Sequence, residues 1–135
     1  MRPIRTTLLA ITALFLTFCG GSYNAREQLR DNVNRFNDAV RWGQYFSAAQ
    51  WVGEDARGSW LASRQEWGND VRIADYEVVD TQVLPGGAAA TVRVVMSWYR
   101  LSESMLETSM LAQRWERVNR DWVMTSEEVV EGAQL

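Results

Sequence analysis

The periodicity of this chain changes once, at Gly68, and that change bounds the folds open to it. Before Gly68 the apolar residues recur at helical spacing. Leu29, Val33, Phe36 and Val40 follow i, i+4, i+7, i+11, the stripe of an amphipathic helix. Arg26, Glu27, Arg30, Asp31, Asn34, Arg35, Asn37 and Asp38 lie mostly off that stripe and are expected to face water. Gly43 is the expected stop, because glycine tolerates the left-handed conformation at a helix end. A short second helix is expected over Tyr45–Val52. After Gly53 a third follows over Glu54–Trp67, with Ala56, Trp60, Ser63 and Trp67 on one face.

Beyond Gly68 the pattern alternates, as strands require. A first strand runs from Val71 to Leu84, with a bulge expected near Tyr76, and Pro85-Gly86-Gly87 is a turn signal. Ala88–Leu101 is expected to be the longest strand, with Ala90, Val92, Val94, Met96 and Trp98 on one face. Ser102-Glu103-Ser104 turns the chain into a strand over Met105–Val118. Asn119-Arg120-Asp121 then makes a hairpin connection to Trp122–Val130. The acidic tail Glu127–Glu131 is expected to fray. Helices first and four antiparallel strands afterwards give a segregated α+β fold, one domain over residues 25–135. No repeat or internal linker interrupts it.

Composition excludes several chemistries. The basic residues are all arginine, and there is no histidine and one cysteine, Cys19. That set lacks the usual zinc, haem and iron–sulfur ligands, so no metal or cofactor is expected. It also lacks the parts of a Ser-His-Asp or Cys-His site. From Cys19 onward twelve arginines stand against seventeen acidic residues, a net −5, which disfavours nucleic acid as a partner.

The first residues read as an export leader. Arg2 and Arg5 precede an uncharged, largely apolar run from Thr6 to Phe18. As a helix that run is about 20 Å long, short of a bilayer core. The cysteine stands where the run stops. Leu16-Thr17-Phe18-Cys19 resembles the lipobox of a bacterial lipoprotein signal, with Phe18 departing from the usual Gly, Ala or Ser. The resemblance implies a signal peptide over residues 1–18, a lipidated Cys19, and a short tether over residues 19–24. It makes the membrane a partner through the lipid anchor. Gly20 after the cysteine, where Asp would mark inner-membrane retention, resembles the outer-membrane destination. Two alternatives stay open: cleavage after Gly21, giving a soluble exported protein, and retention of the leader as an anchor.

The body of the chain carries a second resemblance. The leading helix ends Ala39-Val40-Arg41-Trp42-Gly43-Gln44-Tyr45. The chain closes with Gln113-Arg114-Trp115-Glu116-Arg117-Val118-Asn119-Arg120-Asp121-Trp122. With the order of elements, these resemble the nuclear-transport-factor-2-like superfamily, which includes ketosteroid-isomerase-like and polyketide-cyclase-like proteins. The resemblance implies a cone, in which N-terminal helices pack on a curved sheet of about four strands around an apolar pocket. It also implies a possible homodimer through the sheet.

Seven tryptophans admit two uses: filling a small core, or lining a pocket or partner surface. Trp98 and Trp115, mid-strand, are the expected pocket walls, with Tyr45, Tyr76 and Tyr99 as further pocket or partner-surface residues. An isomerase or dehydratase of the resembled type needs a buried carboxylate of raised pKa. Asp38, Asp75 and Glu77 are the candidates, yet each is expected to face water, so no catalytic residue is assigned. Arg93, Arg100, Arg114 and Arg117 are expected to line a solvated sheet face and pair across strands with Glu103, Glu107 and Glu116. The expected role is a non-catalytic envelope binding or scaffold module whose partner is an envelope protein or a small apolar ligand. The alternative is a small-molecule binder or isomerase-like enzyme using the cone cavity.

Overall fold

In a computed structural model, which describes residues 24–135, Asn24 opens the first helix, α1 (Ala25–Arg41), with a capping box. Its Oδ1 accepts from the amides of Arg26 and Glu27 at 3.0 and 2.9 Å, and the Glu27 carboxylate accepts the Asn24 amide at 3.2 Å. Three donors that a helix start leaves open are thereby met. The leader over residues 1–18 and Cys19 lie outside the described residues. Leu29, Val33, Phe36 and Val40 are buried, as their spacing predicts. Trp42 caps the helix and Gly43 turns the chain with φ +69°. A short helix α2 (Tyr45–Ala48) and a 3₁₀ turn (Ala49–Trp51) lead to α3 (Glu54–Glu66).

Four strands follow: β1 (Val71–Val83), β2 (Ala89–Arg100), β3 (Glu103–Val118) and β4 (Asp121–Gly132). They pair in chain order as one antiparallel sheet, with the helices on one face. The longest strand is β3, 16 residues, rather than β2 with 12. Its ladder with β2 begins already at Arg100↔Glu103, two residues ahead of the expected start. One-residue register shifts flank Tyr76, between Ile73 and Asp75 and between Val78 and Asp80, and two more lie in the β3–β4 pair. Such bulges bend and twist a sheet, which lets this one curl over the helices. Asn119 and Arg120 both have positive φ, 50° and 67°, as a two-residue type I′ hairpin demands. Asp121 already belongs to β4.

Trp60, Trp67, Trp98, Trp115 and Trp122 are buried, so five of the seven tryptophans fill the core. Four expectations are corrected. Asn37 does not face water but is fully buried. The acidic tail does not fray at Val130; β4 continues to Gly132 because Glu127 turns inward and is held there. The second strand is not the longest. The arginine–glutamate pairs across strands do not form as expected. Arg114 meets Glu116 along its own strand at 3.6 Å, and Arg100 reaches Asp70 at 3.7 Å. The Arg100 contact has a geometric cause: Asp70 accepts both the Ser102 amide and its hydroxyl at 2.9 Å, which sets it beside the β2–β3 turn.

Candidate functional site

The inside of the curved sheet holds a polar chain within an aromatic wall. Phe36 of α1 meets Trp115 of β3 edge-on at 5.7 Å and Trp60 of α3 at 5.4 Å. Beside them, Asn37 Nδ2 donates to the Val33 carbonyl at 2.8 Å. Gln113 Nε2 donates to Asn37 Oδ1 at 2.9 Å and to Glu127 Oε2 at 2.8 Å. The other oxygen of Glu127 takes an ion pair from Arg64 Nη2. Arg64 in turn lies over Trp67 at 4.0 Å and Trp60 at 5.0 Å. A buried charge is tolerated when it is paired and its remaining hydrogen-bonding capacity is met. Glu127 satisfies both conditions.

The Arg64–Glu127 end of this chain lines a cleft of about 560 Å³ between α3, the middle of β4 and the C-terminal residues, with Trp60, Trp67 and Leu135 among its other walls. Two buried donors there, Trp60 Nε1 and Arg64 Nε, have no hydrogen-bond partner. Buried polar groups are nearly always satisfied, and these two are exceptions on side chains that line the cleft. A second cleft, about 470 Å³, lies between the C-terminal end of α1 and the β1–β2 edge. Arg41, Trp42, Tyr45, Arg72 and Tyr99 line it. Burial pushes the Tyr45 hydroxyl above its ordinary pKa, and the Arg64 and Arg72 charges oppose that shift.

The structure sorts the residues singled out in the sequence. Trp115 is wholly buried against Phe36, and Trp98 is buried with its Nε1 donating to Ser109 at 2.9 Å. Both are packed into the core instead of standing at an open wall. Tyr45 and Tyr99 are brought together in the second cleft. Tyr76 is elsewhere, donating to Asp38 Oδ1 at 3.1 Å and to the Asn34 carbonyl at 3.2 Å. Its pKa is pushed up to about 12, mainly by burial and then by the Asp38 hydrogen bond and charge. Asp38, Asp75 and Glu77 are exposed, and Asp75 is paired with Arg41 at 3.2 Å. Cys19 lies outside the described residues.

Arg64, Glu127, Gln113 and Asn37 were not anticipated as a site. Arg64 was legible: it stands four residues after Trp60 and three before Trp67, on the face expected to be buried. Glu127 was not. Trp122 and Met124 face inward, so strict alternation assigns Ser126 to the core. The bulge at Thr125, between Arg114↔Ser126 and Trp115↔Met124, moves that position to Glu127.

No protein-family model matches this sequence, and no curated protein does. Solved structures do. A protein of unknown function from Shewanella oneidensis, described as NTF-2-like, superposes with a TM-score of 0.61 at 13% identity, over 78% of this chain and 98% of that one. An NTF2-like protein from Cytophaga hutchinsonii gives 0.61 at 11% identity, over 78% and 97%. The fold is nuclear-transport-factor-2-like. A proposed polyketide cyclase from Xanthomonas campestris shares it, with 0.57 at 11% identity over 78% and 91%. Within this nuclear-transport-factor-2-like fold the first cleft opens between α3 and β4. Among the described residues no helix is long and apolar enough to cross a membrane, and no three of His, Cys, Asp or Glu gather as metal ligands.

Proposed function

We propose that this protein is an exported, lipid-tethered binding module that works with the outer face of its sheet and carries out no chemistry. The filled interior is the observation that carries this reading. Phe36, Trp115, Trp122 and Gln113 close the cone, and its buried carboxylate, Glu127, is already committed to Arg64 and Gln113. A general base needs a free lone pair within reach of substrate; Glu127 has given both oxygens to partners. The outer face offers the complementary feature. Val95, Met110 and Ala112 form a partly exposed apolar patch on β2 and β3, with Arg93 and Arg114 at one end of it. Glu77 and Asp80 border it on β1, and Glu128 and Glu131 on β4. A two-fold axis running between the arginines and one acidic edge would set the arginines of each copy against the acidic edge of the other, so a second copy is the simplest partner. Tethering through Cys19 would hold this module at the envelope.

Two measurements test this. Intact mass of the membrane-extracted protein is expected to show loss of residues 1–18 and added acyl chains, with Cys19→Ser releasing it from membranes. Sedimentation velocity is expected to give a dimer that Met110→Arg converts to monomer with an unchanged melting temperature. A monomeric parent protein would remove the second copy as the partner.

A second reading rests on the two unpartnered donors of the first cleft. Trp60 Nε1 and Arg64 Nε would hold a small ligand with an acceptor oxygen beside the Trp60 and Trp67 rings. Protection of Trp60 and Trp67 from oxidation by one compound of a carboxylate panel, lost in Trp60→Phe, is the expected result. This reading predicts binding without turnover.

A further inference from the structure

Trp42 and Phe46 stand largely in water, 70% and 79% exposed, at the corner joining α1 to α2. Local geometry explains their direction. Tyr45 turns inward to meet Trp67 edge-on at 5.9 Å, which sends its neighbour Phe46 outward. Trp42 follows the last residue of α1 and carries the Arg41 guanidinium over its ring at 5.3 Å. Arg72 also lines the cleft at this corner and is exposed. Arg41 is paired with Asp75, and Arg72 Nη1 donates to the Val71 carbonyl at 3.0 Å. Two large exposed aromatics at one corner, with two arginines beside Trp42, are costly in water and suited to the interfacial zone of a bilayer, where ring bodies enter the acyl boundary and guanidinium groups meet phosphates.

We propose that this corner docks on a phospholipid surface, with Trp42 and Phe46 inserted and Arg41 and Arg72 against the headgroups. The proposal rests on the lipid tether proposed above, and the length of chain before the described residues supplies the reason for choosing a membrane. Cys19 stands five residues before Asn24, a reach of at most about 17 Å. The aromatic corner is at the other end of the same 17-residue helix, about 25 Å away. An acyl anchor at one end and an aromatic anchor at the other would lay α1 along the membrane. Because the helices cover the inner face of the sheet, the outer face would then remain open to a partner. One lipid-linked residue alone would leave the domain free to swivel; a second contact fixes its orientation.

The test uses the full-length lipidated chain in vesicles of phosphatidylethanolamine and phosphatidylglycerol. Phe46→Cys and, on the outer sheet face, Thr108→Cys each carry a bimane label, both in the Met110→Arg background so that no second copy covers position 108. The position-46 label is expected to be quenched by lipids bearing nitroxide on the acyl chain, and several-fold less than the position-108 label by aqueous iodide. Equal iodide quenching at the two positions overturns the proposal. So does a position-46 label shielded from iodide but untouched by the nitroxide lipids, since a protein copy would then cover it. Intact mass reports the tether separately. If Cys19 proves unmodified the tether fails, and docking is judged by vesicle flotation of the Cys19→Ser chain lacking residues 1–18, in which the apolar leader cannot itself hold the vesicle. There Trp42→Ser/Phe46→Ser is expected to lower the vesicle-bound to free ratio about tenfold or more, and an unchanged ratio overturns docking. Both substituted residues are exposed, so circular dichroism should show an intact fold.

Discussion

Arg64 of α3 and Glu127 of β4, 63 residues apart in sequence, form an ion pair inside the curved sheet, with their side chains only 10% and 4% exposed. It ties the third helix to the last strand and prevents the acidic C-terminal segment from leaving the sheet. Removing one partner strands the other in a low-dielectric interior, which typically costs about 3–5 kcal/mol. Arg64→Ala and Glu127→Ala are each expected to lose that much in urea unfolding. The double variant Arg64→Met/Glu127→Leu should recover most of the loss, because neither charge is then left alone. Single variants as stable as the parent would show that the pair is open to water.

The Tyr76–Asp38 contact makes a pH prediction. The folded pKa of Tyr76 is pushed up to about 12, first by burial and then by Asp38, above the unfolded value of about 10. A group whose folded pKa is raised contributes stability that is fully present below its unfolded pKa. That contribution fades as pH rises from about 10 toward 12. Tyr76→Phe should flatten this decline and cost about 0.5–1.5 kcal/mol at neutral pH through the lost hydrogen bonds. Chemical denaturation at a series of alkaline pH values measures both.

The β3–β4 hairpin can be improved. Arg120 sits at φ +67°, where a Cβ is unfavourable by about 1–2 kcal/mol, and part of that is recovered by glycine after its larger unfolded-state entropy. Arg120→Gly places a glycine directly after Asn119, and Asn-Gly is the preferred type I′ pair. A gain of about 0.5–1 kcal/mol in unfolding free energy is expected. Destabilisation would mean that the Arg120 side chain contributes a contact.

Trp115 bears on whether the interior is a filled core. It is fully buried and braced by Phe36. Trp115→Ala should cost about 3–5 kcal/mol, with the melting temperature falling accordingly. A small loss, rescued by an added apolar ligand, would instead mark Trp115 as the wall of an open pocket.

The amphipathic stripe of α1, the stop at Gly43, the four-strand order and the inward face of β2 were all legible, because each depends on a period repeated along a contiguous segment. The tyrosines show where that ends. Tyr45 and Tyr99 share a cleft whereas Tyr76 does not, and spacing alone does not separate them. Asn37 looked solvated because its type is polar, although it lies one residue from Phe36. Its burial is stabilised by Val33 and Gln113, the latter 76 residues away.

What the sequence by itself determined is therefore the kind of each element and the order in which they pair. Backbone period and turn chemistry act over a few residues and need no distant partner. Only the tertiary structure decided that Asn37, Gln113, Glu127 and Arg64 would form one buried chain. One extra residue at Thr125 moves the inward position from Ser126 to Glu127, and a carboxylate is stable there only because α3 delivers a guanidinium to meet it.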